Sequence, residues 1–276
     1  MRALFWKRTR SSPRSVSIIS FSPAGQMTIA ERCHTTMRFL FIIPVMLVLA
    51  APLGAQDFAK GLQAFEAGDF AAAVKEWKPL AESGNSAAQN SMGDLYYSGR
   101  GVPQNHAEAF RWYRLSAQQG NVDGQGNLGW MFEYGLGVAR DFSRAAKWYK
   151  QAADQGDGWA QNSLGVLYYH GQGVQKDIGQ AFHWYKLAAA QGQLYAHQNL
   201  GWMYEHGEFV DRNTLIAFMW YDHATNRGLT DAAEARDSIG ARLTYLEKLL
   251  VMGMSKLCMG NAYKDCGDAP RARYSY

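Results

Sequence analysis

The side chains that could do chemistry in this chain are few and widely spread. His170 and His206 stand 36 residues apart, and His183 and His223 lie elsewhere in the same tract. On stacked helices, a 36-residue separation places two side chains roughly 8–10 Å apart. That is too far to share a zinc ion unaided, and no cysteine is near. Four stretches, Gly99–Val102, Gly135–Val138, Gly171–Val174 and Gly207–Val210, carry glycines that could cradle a phosphate if each followed a strand. No strand pattern precedes them, so they are expected to be structural connectors. Cys258 and Cys266 could form a disulfide or, less naturally, bind a metal. No nucleophile elbow, paired-histidine zinc motif or triad is present. No catalytic residue, metal or cofactor is therefore expected.

The elements that position these residues follow from a repeat. From Asn85 to Gly228 the chain recurs every 36 residues without a gap. One column reads Trp112, Trp148, Trp184, Trp220; the next reads Tyr113, Tyr149, Tyr185, Tyr221. Glycines recur at Gly93, Gly129, Gly165 and Gly201, and again at Gly120, Gly156, Gly192 and Gly228. A period of this size means stacked supersecondary units that bury a continuous core. Within the unit Asn121–Gly156, helical spacing predicts one helix over about Gly124–Tyr134 and a second over about Ser143–Gln155. Asn105, Asp141, Asp177 and Asn213 stand where a short polar side chain can cap the second helix. The valines of the connectors should turn inward. Small residues at Ala88, Gly124, Ala160 and Ala196, with the Gly93 column, should let helices approach closely. Ala109, Ala145, Ala181 and Ala217 should do the same on the second helix. The Trp-Tyr pairs are read as core, with Trp supplying the large buried areas.

The run Leu164–Val174 (LGVLYYHGQGV), followed by Ala181–Ala189 (AFHWYKLAA) and Gly192, resembles the Sel-one-like repeat, a relative of the tetratricopeptide repeat. The resemblance covers four units, about half the chain. It implies an all-α fold, a right-handed α/α superhelix built as a solenoid of helix hairpins with helical end caps. It also implies protein–protein contact and no shared catalytic chemistry. Some cysteine-rich relatives are described as penicillin-binding or β-lactamase proteins, but they carry a disulfide in each repeat, and these four repeats contain no cysteine. The connector Gly207-Glu-Phe209-Val210 departs from the pattern, so the fourth loop is expected to be less regular.

Residues 37–55 have the order of a secretory signal peptide: Met37-Arg38, the apolar run Phe39–Ala50, then small residues to Ala55. Cleavage is expected after Ala55. Residues 1–36 are then either upstream of a true start at Met37 or a long cytoplasmic segment before an uncleaved anchor. Residues 56–84 read as a tetratricopeptide-like N-terminal cap, with a turn at Gly68-Asp69 and a helix that Pro79 should bend or loosen. Residues 229–276 form the C-terminal cap: a helix over Asp231–Leu243, a capping box Thr244–Glu247 opening another, a disulfide loop and a loose tail. The terminal cysteine pattern is similar to secreted bacterial members of the family. With Cys33 removed with the leader, two cysteines remain for an oxidising compartment.

Charge excludes one class of partner. The net charge is +4, but residues 1–55 hold seven basic residues against Glu31, which leaves 21 basic and 23 acidic residues from Gln56 onward. The body has no basic stripe for nucleic acid. The expected protein is a periplasmic or secreted monomer, off the membrane once its leader is cut, that binds an envelope protein or peptide. The rivals are a cell-wall enzyme with weak β-lactam or peptidoglycan-peptide activity, and a membrane-anchored scaffold.

Binding should use the positions that differ between units. On the first helices, one stripe reads Asp94, Tyr97, Ser98; then Trp130, Glu133, Tyr134; then Val166, Tyr169, His170; then Trp202, Glu205, His206. The candidate partner-binding residues are Tyr97, Trp130, Glu133, Tyr134, Tyr169, His170, Trp202, Glu205 and His206. By the family resemblance they line the concave wall. The alternation of Trp-Glu units with Tyr units is not needed for stacking alone. It would make two acidic-aromatic sites roughly 16–20 Å apart. The alternative is that the stripe only packs against neighbouring first helices.

Overall fold

Thirteen-residue helices in pairs set the architecture. The computed structural model describes residues 53–260, and side-chain surroundings from Phe58 to Cys258. Expectations for residues 1–52, for Cys266 and for the tail lie outside these residues. The N-terminal cap is α1 (Leu53–Glu66) and α2 (Phe70–Glu82). The first turn of α1 thus takes in Leu53–Ala55. The four repeats are α3 (Ser86–Ser98) with α4 (His106–Gln118), α5 (Val122–Tyr134) with α6 (Phe142–Asp154), α7 (Gly158–His170) with α8 (Ile178–Ala190), and α9 (Leu194–His206) with α10 (Thr214–Asn226). A short 3-10 turn leads into α11 (Ala233–Gly240), and α12 (Tyr245–Gly260) follows. Each helix packs on the next in chain order through α10, and successive hairpins stack into a right-handed α/α superhelix. Among the described residues there is no strand, and no helix is long and apolar enough to cross a membrane.

Local chemistry sets the helix ends. Asn105, Asp141, Asp177 and Asn213 each accept a backbone N–H in the first turn of the second helix. The first helices are capped in the same way by Asn85, Asn121 and Asp157, while Gln193 gives no side-chain cap. A side-chain N-cap is worth about 1 kcal/mol. At the start of α12, Thr244 N–H donates to Glu247 at 2.7 Å, and Glu247 N–H donates back to the Thr244 hydroxyl at 3.3 Å, the expected capping box. Pro79 sits in the last turn of α2 without ending it, since the helix runs on to Glu82. The helix expected over Asp231–Leu243 is shorter, because it opens as the 3-10 turn Thr230–Ala232 and stops at Gly240.

The glycine column is explained by the tyrosine column. A Cβ on Gly93 would stand 2.5 Å from the Tyr113 ring; on Gly129, 2.7 Å from Tyr149; on Gly165, 2.7 Å from Tyr185; on Gly201, 2.9 Å from Tyr221. Each first helix therefore receives the ring of its own hairpin's second helix in a socket that only glycine leaves open. The four tyrosines are buried, none more than 2% exposed. The alanine columns are buried too, and the connector valines pack half-buried against the core.

The tryptophan column is less uniform than expected. Trp220 is fully buried and Trp112 and Trp184 nearly so, but Trp148 is only half-buried. The tyrosines, not the tryptophans, are the deepest column. In the N-terminal cap Trp77 is buried, stacks on Phe58 and donates from Nε1 to the Phe58 carbonyl at 3.1 Å.

The fourth connector keeps the geometry of the others. Phe209 adopts φ 68°, beside 71°, 68° and 71° at Gly101, Gly137 and Gly173. A left-handed conformation costs an ordinary residue roughly 1–2 kcal/mol. The Phe209 ring lies 5.5 Å from Phe182, and a Cβ on Gly179 would approach it to 2.9 Å. Packing against Phe182 and the space at Gly179 offset the strain, so the expected irregularity of this loop is absent.

Candidate interaction surface

The first helices bring the variable stripe together, in pairs of units. Trp130 Nε1 donates to the Tyr97 hydroxyl at 3.4 Å, and Tyr169 meets Trp202 edge-on at 5.7 Å. Each pair joins the fifth position of one unit's socket turn to the residue after the glycine in the next unit. The same two junctions carry amide bridges: Asn127 donates to Asn90 at 3.0 Å, buried, and Asn199 to Asn162 at 3.1 Å, partly buried. The junctions of units one with two and of units three with four thus share one pairing. At the junction of units two and three, Trp159 fills the space beside Gly126 and packs against Trp130 and Tyr149 within one continuous core. The alternation therefore does serve stacking, contrary to the reading that stacking has no need of it.

The glutamates of the stripe are held from within. Tyr149 donates its hydroxyl to Glu133 at 2.5 Å, and Tyr221 donates to Glu205 at 2.9 Å. In the first unit Tyr113 reaches Asp94 instead, at 2.8 Å. The third unit has Val166 and Tyr169 at these places, and the Tyr185 hydroxyl is buried with no acceptor. Burial first, and then Glu205, pushes the Tyr221 phenol well above its ordinary value. Tyr169 bonds Glu208 at 2.7 Å, and burial, then that carboxylate, pushes its phenol upward too.

What reaches solvent is an edge. Trp130 and Tyr169 are each 7% exposed and offer little area, whereas Tyr134 is 45% exposed. His170 and His206 are exposed, and Tyr97, Glu133, Trp202 and Glu205 are half-buried. Tyr134 rests on Trp130 with ring centres 4.0 Å apart, and His206 stacks on Trp202 at 4.3 Å and 17°. Lys176 lies over the Tyr169 ring at 5.7 Å; burial, and then that ammonium, lowers the His170 pKa. The edge presents ring faces beside carboxylates that already accept a phenol each. Such a surface suits cationic and apolar side chains more than acids. Among the described residues, no three His, Cys, Asp or Glu side chains gather as a metal-ligand set.

Sequence reasoning passed over Trp159, Glu208 and the four asparagines. A signal for the asparagines existed: Asn90-Ser91 recurs as Asn162-Ser163, while Gly126-Asn127 and Gln198-Asn199 stand between, a 72-residue alternation parallel to that of the aromatic stripe. Trp159 and Glu208 break the columns, and nothing periodic points to them. Also unread was His197, which takes the place of the buried Gln89, Gln125 and Gln161 and lies 5.9 Å from His223.

Four stretches of the chain match the Sel1 repeat family: residues 86–121, 122–157, 160–193 and 194–229. Among solved structures, the chain is similar to c5321 of Escherichia coli, described as a protective antigen of uropathogenic strains displaying an SLR fold. The two share 28% identity over 75% of this chain and 46% of that one, with a TM-score of 0.64. It is also similar to a Sel1 repeat protein from Oxalobacter formigenes, at 31% identity over 65% of this chain and 73% of that one, with a TM-score of 0.62. The chain spans under half the length of the first of these. No curated protein matches it.

Proposed function

Because the chain belongs to the Sel1 repeat family, we propose that it is an exported scaffold that holds an envelope protein or peptide along the wall of its first helices. Sel1 repeat proteins are in general protein-interaction scaffolds, and the family is typically non-catalytic. The observation that carries the reading is the exposed edge of Tyr134, His170 and His206 on three successive first helices, with half-buried Trp202 beside it. Rigid rings backed by a packed core lose little entropy on binding, which is why aromatic side chains dominate interfaces. The carboxylates of Glu133, Glu205 and Glu208 beside the rings favour a partner segment that combines basic and apolar residues. Export rests on the basic, apolar, small-residue order from Met37 to Ala55.

The test is capture from a periplasmic extract, read by mass spectrometry, with wild type and with Tyr134→Ala, His170→Ala and His206→Ala combined. These side chains are exposed, so circular dichroism should show the fold unchanged. Loss of the captured partner supports the reading, and an unaltered partner set in the folded variant overturns it. N-terminal sequencing should place the start of the mature chain near Gln56; a mature protein that keeps Phe39–Ala50 in the membrane would overturn export by cleavage.

A further inference from the structure

We propose that the outer face of α12 pairs with the same face of a second copy, joining two arrays end to end through their C-terminal caps. Among the described residues the helix touches the rest of the chain along one narrow stripe. Val251 and Cys258 are buried against the core, Met254 packs beside them, and Ser255 lies 2.9 Å from His223 on α10. The other side is apolar and open: Leu246 is 75% exposed, Leu257 73%, Tyr245 75%, Met252 68%, with Leu250 and Leu249 at 54% and 46%. At 100° per residue these six fall within one continuous arc opposite the docked stripe. From α1 to α10 the helices pack as hairpins, whereas among the described residues α12 has α10 as its main neighbour.

Two observations select a second copy as the occupant. First, the centre of the face is spaced as Leu246, Leu250, Gly253 and Leu257, gaps of four, three and four. That is the spacing of a two-helix seam. It reads the same in both directions, so an antiparallel copy meets it in register: Leu246 beside the partner's Leu257, and Leu250 over the partner's Gly253. A Cβ on Gly253 would meet nothing within 4 Å in the single chain, so the cleft above it is open to a leucine. A two-fold interface must be self-complementary in this way. Second, the area is adequate. The six side chains together expose on the order of 700 Å², close to the ~800 Å² that each partner buries in a standard interface. Residues 261–276, which follow α12, are poorly suited to cover them: they include Lys264, Asp265, Asp268, Arg271 and Arg273 and contain no Leu, Ile, Val, Met, Phe or Trp. The proposed dimer stands against the monomer expected from the sequence.

Sedimentation of the protein as purified from the envelope fraction tests this. At micromolar concentration it should run at twice the mass of one chain, with and without reductant. The variant Leu246→Glu, Leu250→Glu, Leu257→Glu should run as one chain with unchanged helicity, because all three side chains face solvent in the single copy. Leu250→Gln alone should weaken association at least tenfold. A wild-type monomer overturns the proposal, as does a dimer that survives the triple change or one that separates only on reduction. Flotation of a wild-type monomer with phosphatidylglycerol vesicles, lost in the triple variant, would give the face to lipid and overturn it equally.

Discussion

Tyr149 reaches across its hairpin over the flat back of Gly129 and gives its hydroxyl to Glu133 at 2.5 Å. Three structural columns meet in this contact: a glycine that opens a socket, a ring that fills it, and an acid at the rim that satisfies the phenol. The third unit keeps the socket and the ring but has no acid, so Tyr185 sits buried without an acceptor.

Removing the hydroxyl should therefore act oppositely in neighbouring units. Tyr149→Phe gives up a hydrogen bond to a carboxylate and should cost about 1–3 kcal/mol. Tyr185→Phe removes an unsatisfied buried hydroxyl and should be neutral or stabilising by up to about 1 kcal/mol. Denaturant melts of the two variants check this, and equal losses would contradict the contrast.

Depth along the tryptophan column predicts a graded response. Trp220→Ala, at a fully buried ring, should destabilise by about 3–5 kcal/mol. Trp148→Ala should cost clearly less, because part of its ring already faces water. Gly129→Ala should be as damaging as a core overpacking mutation, about 1–3 kcal/mol, since its new methyl would stand 2.7 Å from the Tyr149 ring.

The pair His197 and His223 should make stability depend on pH. Burial, chiefly, pushes each imidazole down to about 4 from 6.5; Arg227 lowers both, and for His197 the neighbouring His223 adds to the effect. Both histidines therefore fold in the neutral form. The unfolded chain takes up protons first as pH falls below about 6.5, so the stability from keeping them neutral is whole above that value. It drains away as pH drops towards 4, by an amount on the order of 3 kcal/mol for a group shifted this far. Melts at pH 7, 5.5 and 4.5 should show the loss. His197→Gln restores the residue of the other three units, whose side chain donates to a carbonyl eight residues earlier, as Gln161 does to Ala153 at 3.2 Å. It should flatten the profile between pH 6.5 and 4; an unchanged slope would remove His197 from the account.

Cys258 lies buried near the end of α12, and its expected bond to Cys266 would close a small loop there. Peptide mapping of exported protein without reductant should find the two linked, and reduction should cost roughly 2.5 kcal/mol by loss of the loop constraint. Two free thiols in the exported protein would refute the bridge.

The repeat made most of the fold legible. Helix positions, caps, small-residue columns and the hairpin order are local or periodic properties. A 36-residue column of glycine or tyrosine repeats its meaning in every layer. Asn105, Asp141, Asp177 and Asn213 could be read as caps because the groups they serve lie only two or three residues on. Periodicity says that positions are equivalent, but it does not say how deep they lie or what they touch in the next helix. Only the packed structure decided that Tyr113, Tyr149 and Tyr185 lie deeper than the tryptophans beside them, while Tyr221 and Trp220 are both buried. It also decided that Glu133 belongs to Tyr149, and that Tyr97 and Tyr169 are spent on the tryptophans of the following units. Phe209 shows the same limit: its strained conformation is tolerated because Phe182 and Gly179, a full helix away in the chain, leave room for its ring. Such contacts depend on the offset between helices in three dimensions, which is set by the fit of all their side chains together and not by the spacing of any one column.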